Sequence, residues 1–141
     1  MRGLTFAALA FVGCLSACVT AGLRKPSALT LDEKIGQLFV YPATGRFMNE
    51  SSPEYQALLH QVRDNRIGGI LWTVSDIAET IRLDRKLHAM SRFPLLVAAD
   101  LEAGAGTRFL DTTNWPWPMA VAATGEPSLA ERQGRIVAEE A

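Results

Sequence analysis

Cysteine is nearly missing from this 141-residue chain: it has Cys14 and Cys18 and no other. A body that folds beyond Cys18 therefore has no disulfide to rely on and must be held by apolar burial and hydrogen bonds. Charge of one sign is also lacking. Fourteen basic residues stand against 15 acidic ones, for a net charge of -1, so there is no basic field to hold nucleic acid phosphates. Long hydrophobic runs are absent as well. The apolar stretch from Leu4 to Val12 is short of the roughly 20 residues that cross a bilayer, and the chain then breaks into Ser16, Thr20 and Gly22 before Arg24-Lys25. Gly104-Ala105-Gly106 lacks the third glycine of a dinucleotide fingerprint. The two histidines, His60 and His88, sit among polar neighbours with no nucleophile or metal-ligand set nearby. They read as surface residues, and nothing in the sequence implies a metal or cofactor.

The first residues have the form of an export signal, with Met1-Arg2 as a short positive segment ahead of the apolar one. Leu15-Ser16-Ala17-Cys18 resembles a lipobox, which makes Cys18 the expected lipidated residue; ordinary cleavage after Val19-Thr20-Ala21 is the alternative. Residues 1–18 are thus expected to be a lipoprotein signal, 19–29 a flexible tether and 30–141 the folded part. The implied location is a membrane-anchored lipoprotein facing the periplasm or cell exterior.

With 48% hydrophobic and 21% charged residues, the remainder has a globular composition. Thr30-Leu31-Asp32-Glu33 has the T-x-x-E form of a capping box, and Leu31, Ile35 and Leu38 follow at helical spacing. Leu38 to Tyr41 reads as a buried strand ended by Pro42. Ser51-Ser52-Pro53-Glu54 offers a second capping box before a stripe of Tyr55, Leu58, Leu59 and Val62. Gly68-Gly69 breaks that helix and admits Ile70-Leu71-Trp72 as a second strand, with Trp72 as core. Ser75 is the expected N-cap of a helix from Asp76 to about Met90, buried through Ile77, Ile81, Leu83, Leu87 and Met90. After Pro94 comes a third strand, Leu95 to Ala99, and a last helix starts near Pro127. This alternation predicts an α/β fold with a parallel sheet, either an open doubly wound sheet or a barrel. The chain reaches Ala141 with no helix stop signal, which reads as a truncation.

Asp100 is the foremost candidate for chemistry. A carboxylate directly after a buried run sits at the carboxyl end of a parallel strand, where barrels and open sheets bind ligands. It could accept two sugar hydroxyls; the alternative is that it caps the next loop or pairs with Arg108. Glu102 points to the other side of an extended segment and is read as a buried brace, against Arg108. Trp115 and Trp117 could stack on a sugar face or plug the rim.

Asp100-Leu101-Glu102-Ala103-Gly104, followed by Arg108-Phe109, is similar to the D-x-E-G-G…R-F segment of family-3 glycoside hydrolases, and most to their β-N-acetylhexosaminidase branch. Thr30 to Leu38, Ile67 to Trp72, and Trp117-Pro118-Met119-Ala120 before Ala123-Thr124-Gly125 fall in the same order. The resemblance runs from about Thr30 to the end. It implies the opening three βα units of a (β/α)8 barrel, a retaining glycosidase as the parent enzyme, and β-linked glycosides, such as peptidoglycan or chitin fragments, as substrates. It also implies that Asp100 alone binds hydroxyls of the non-reducing sugar; Arg108 matches its family position and is a further substrate-binding candidate, with a structural role as the alternative, while Trp117 stays a candidate on its loop position. Ala103 departs from the family's first glycine, and Ala105 stands where the hexosaminidase branch usually has arginine. The family's next landmarks, an arginine and a lysine-histidine pair on later strands, a histidine-containing loop that serves as acid/base in hexosaminidases and the aspartate nucleophile, are not among residues 1–141, which are expected to be inactive alone. Family-3 β-glucosidases and β-xylosidases, and a non-catalytic sugar-binding lipoprotein, are the rival readings.

Overall fold

A computed structural model describes residues 26–141. The proposed signal, the lipobox with Cys18, and the tether up to residue 25 lie outside the described residues. Pro26–Ala28, the end of the expected tether, forms one 3-10 turn.

Three parallel strands, β1 (Val40–Ala43), β2 (Gly69–Trp72) and β3 (Leu96–Ala99), pair in the order β1-β2-β3. Register places Ala43, Trp72 and Ala99 side by side at their carboxyl ends. The crossovers are α2 (Pro53–Arg63) and α3 (Ile77–Met90), as the alternation predicts. Their contact with the sheet forms the core: Tyr55, Leu58, Leu59 and Val62 from α2 and Leu83 and Leu87 from α3 surround Ile70 and Trp72. Each fully buried aliphatic side chain contributes about 1.5–3 kcal/mol. Trp72, 1% exposed, is core as expected.

Several local expectations shift. The first strand begins two residues later than the apolar run and includes Pro42, which has no N–H to donate but is tolerated because β1 is an edge of this three-stranded sheet. Its Val40 and Pro42 are exposed, as are Leu96, Val97 and Ala98 of β3, so these strands are not buried on both faces within this chain. In α1 (Leu31–Gly36), Leu31 and Ile35 face outward, as does Leu38 beyond the helix, and the buried face is Glu33 with Gly36. Gly36 lies against the turn after α2, where a Cβ would come within 2.2 Å of the Asn65 carbonyl oxygen. In α3, Thr80 is buried and Ile81 is exposed. Ser52, not Ser51, caps α2 by accepting from the Tyr55 N–H at 3.2 Å, which leaves Glu54 outside any capping box. Nor do the glycines end that helix. Arg66 takes the left-handed turn at φ 54°, whereas Gly68 is needed because a Cβ there would meet the Gln37 carbonyl oxygen at 2.2 Å.

Glu33 explains how Arg66 holds a conformation that disfavours a side chain. The T-x-x-E box forms as expected: the Thr30 N–H donates to Glu33 Oε2 at 2.9 Å, and the Glu33 N–H donates to Thr30 Oγ1 at 3.2 Å. The other carboxylate oxygen accepts from Arg66 Nη1 at 2.9 Å and is also paired with Arg92. Arg66 precedes β2, Arg92 precedes β3 and Glu33 itself precedes β1, so one carboxylate fastens the amino ends of all three strands. The hydrogen bond from the Thr30 backbone lowers the Glu33 pKa below its ordinary 4.5; burial opposes this, and the charges of Arg92 and Arg66 reinforce it.

A depressed pKa stabilises the fold fully above the unfolded value and less as pH falls through the folded one. Glu33→Gln should therefore lower the thermal midpoint at neutral pH, and the gap to the unaltered protein should shrink as pH drops below about 4.5. Thermal melts across that range check this; a gap independent of pH would show that the ionised clasp adds nothing.

Candidate functional site

The carboxyl ends of β1, β2 and β3 lie along one rim, and three loops meet there. Ser75, fully buried, joins them. Its Oγ accepts from the Gly45 N–H at 2.8 Å and donates to the Thr73 carbonyl at 3.1 Å. Its backbone N–H donates to the Arg108 carbonyl at 2.7 Å, and its carbonyl accepts from the Leu110 N–H at 3.0 Å. Ser75 is thus a junction between loops and not the expected N-cap; Asp76 holds the cap position and gives no side-chain bond. The bond reaching the α3 amino end comes from Asp111, whose Oδ1 and Oδ2 accept from the Ile77 N–H at 3.1 and 3.3 Å.

Asp100 follows the last residue of β3 with its side chain 52% exposed, at the strand-end position expected. Arg108 Nη2 lies 3.3 Å from Asp100 Oδ2, so these two candidates lie together in the pairing that the alternative reading of Asp100 expected. The Asp100 backbone carbonyl accepts from Thr107 Oγ1 at 3.4 Å. An exposed ion pair of this kind contributes only about 0–1 kcal/mol. Hydrogen bonds to a charged group contribute about 1.5–3 kcal/mol each, so a sugar hydroxyl can share or replace the arginine.

Glu102 departs from expectation. It is exposed, and the arginine it was expected to brace is engaged by Asp100. Its side chain is left outside, while Ala103 and Ala105 of the turn that follows are buried at 2% and 1% exposure. Trp117 starts α4 (Pro118–Ala122) and is 59% exposed. Trp115 is the tryptophan that closes the loop: its backbone N–H donates to the Ala103 carbonyl at 3.1 Å and its ring lies on Gly104. It reads as the plug of the rim. The last helix, α5 (Pro127–Glu140), starts where expected.

Both histidines are on the surface. His60 Nδ1 lies 2.7 Å from Asp64, and His88 lies beside Asp84 on α3. Among the described residues, no group of three or more His, Cys, Asp or Glu side chains is placed to hold a metal ion. Asp111 and Thr107 were not singled out by sequence reasoning. The partner of Asp111 is 34 residues away, and no local pattern signals it.

A consecutive parallel sheet with helical crossovers and a carboxylate at the strand-end rim is the pattern of an α/β ligand scaffold, shared by barrels and open sheets. Residues 30–141 match the family description "Glycosyl hydrolase family 3 N terminal domain", and the chain belongs to that family. Its fold is accordingly an amino-terminal portion of the family's (β/α)8 barrel. The chain is 32% identical over 110 residues to a "Beta-N-acetylglucosaminidase/beta-glucosidase" of Cellulomonas fimi. That match covers 78% of this chain and 18% of the relative.

Gly104 has φ 89°, and a Cβ there would lie 2.4 Å from Trp115 Cδ1. Gly104→Ala should destabilise the protein by about 1–3 kcal/mol through backbone strain and overpacking together. A urea midpoint unchanged from the parent would show that the loop yields freely.

Proposed function

We propose that this chain supplies the non-reducing sugar subsite of a retaining family-3 glycoside hydrolase that acts on β-linked N-acetylglucosamine. The observation that carries the reading is the placement of Asp100 at the carboxyl end of β3, exposed and beside Arg108. There the carboxylate accepts hydrogen bonds from two sugar hydroxyls, and Arg108, 3.3 Å away, orients it. Trp117, on the surface of the same loop region, is a candidate stacking face. In the whole enzyme an aspartate on a later strand attacks the anomeric carbon, the aglycone leaves as its oxygen is protonated, and water then hydrolyses the glycosyl-enzyme. The residues described here bind and orient; they do not run these steps.

A β-glucosidase is the second reading. The name of the Cellulomonas fimi relative covers both sugars, and Ala105 departs from the arginine of the hexosaminidase branch. Aryl N-acetyl-β-glucosaminide and aryl β-glucoside, offered to the full-length enzyme, separate the two by kcat/KM. We further propose that Cys18 is lipidated and tethers the enzyme to a membrane facing the periplasm or cell exterior. The support is the Leu15-Ser16-Ala17-Cys18 sequence. Loss of labelled acyl chains on Cys18→Ala tests it.

Loss of one charge-assisted hydrogen bond exceeds 1.4 kcal/mol, so Asp100→Ala should lower kcat/KM of the full-length enzyme at least about tenfold. An unchanged kcat/KM would remove Asp100 from the site.

A further inference from the structure

The loop that carries Arg108 is fixed by contacts with the core and with neighbouring segments. Phe109 leans on the core, and the two backbone bonds to Ser75 flank it, at Arg108 and at Leu110. One residue further on, both carboxylate oxygens of Asp111 converge on the Ile77 N–H at 3.1 and 3.3 Å. The next residue, Thr112, closes back on the Phe109 carbonyl with its N–H at 3.0 Å and its Oγ1 at 2.8 Å. Residues 108–112 are therefore a short turn strung between the core and the amino end of α3. Of these fixings, the Asp111 carboxylate is a side-chain link that can be removed without touching the core, because Asp111 is exposed.

We infer that Asp111 is a positioning residue: by capping α3 from the β3 loop, it fixes the Arg108 backbone and thereby the Asp100–Arg108 pair. Its charge also suits the place. A carboxylate at a helix amino end meets an unpaired N–H and the positive end of the helix dipole. Asp76, at the cap position, makes no side-chain bond of its own, so this end of α3 draws its cap from the neighbouring loop. The cap thus carries the position of a rigid 14-residue helix into the loop that presents Arg108. Asp111 itself touches neither Asp100 nor Arg108 through any hydrogen bond or ion pair among the described residues.

This inference rests on the sugar-subsite reading of Asp100, and the test separates the two. Full-length enzyme is assayed with aryl N-acetyl-β-glucosaminide and aryl β-glucoside, and the better substrate is used for Asp111→Ala, Asp111→Asn and Asp100→Ala. Misplacing a binding pair raises KM, so Asp111→Ala should raise KM about three- to tenfold with kcat within about twofold. Asp111→Asn keeps an acceptor oxygen and should restore most of the KM. A merely structural cap would lower the thermal midpoint and leave KM, measured well below it, unchanged. If Asp100→Ala impairs kcat/KM while Asp111→Ala leaves KM as it was, the positioning role is overturned and the subsite stands. If Asp100→Ala leaves kcat/KM unchanged, the subsite reading fails and the positioning role falls with it.

Discussion

A carboxylate that is 2% exposed cannot stay ionised without partners, and Glu33 has them from three directions. Burial of an unpaired charge costs several kcal/mol, so the constraint works in both directions. Glu33 needs Thr30, Arg66 and Arg92 in place; Thr30 caps the helix that leads into β1, and the two arginines stand just before β2 and β3. The left-handed Arg66 at φ 54° is held by the same contact, with a second grip on its carbonyl from Gln37 Nε2 at 2.8 Å. A small sheet with exposed faces thus acquires a fixed register at its amino ends from electrostatics where apolar burial is thin.

The opposite ends are fixed by a neutral group. Ser75 has no charge to keep solvated, and it satisfies its buried hydroxyl entirely with backbone partners, the Gly45 N–H of the β1 loop and the Thr73 carbonyl two residues back. Polar atoms buried in this way act as locks, since an unmade bond costs about 1–3 kcal/mol while a made one gives about 1. The sheet is therefore stitched at its base by Glu33 and at its rim by Ser75. The rim stitch lies within the loops that present Asp100 and Arg108, which is how a fold of short strands can hold an exposed carboxylate in a defined place.

What could be read from the sequence follows the range of the interactions involved. The Tyr55, Leu58, Leu59 and Val62 stripe, the Thr30–Glu33 box and the strand-helix alternation are set within a few residues, and all three appear. Asp100 was legible for the same reason, because it ends an apolar run. Two of the misreadings depend on partners about 30 residues away. Ser75 looks like a cap until Gly45 is placed against its hydroxyl, where a Cβ on the glycine would lie 2.9 Å from that oxygen. Gly68 looks like a helix stop until Gln37 is brought to it. Leu31, Ile35 and Leu38 look like a buried stripe because spacing reports which residues share a face and not which face is covered.

The same distinction bears on substrate choice. Ala103 and Ala105, where the family's glycine and the hexosaminidase branch's arginine stand, are both buried. The Ala105 carbonyl accepts from the N–H groups of Arg108 and Phe109 at 3.0 and 2.8 Å, which folds the loop inward over that position. An arginine at 105 would need an open path to the rim and hence a different loop course. In this chain the cationic group nearest the Asp100 carboxylate is Arg108, held by its own backbone to Ser75. On the proposed sugar-subsite reading, charge at this strand end is therefore supplied by a residue whose position is set by the rim stitch, and not by the position that distinguishes the branch.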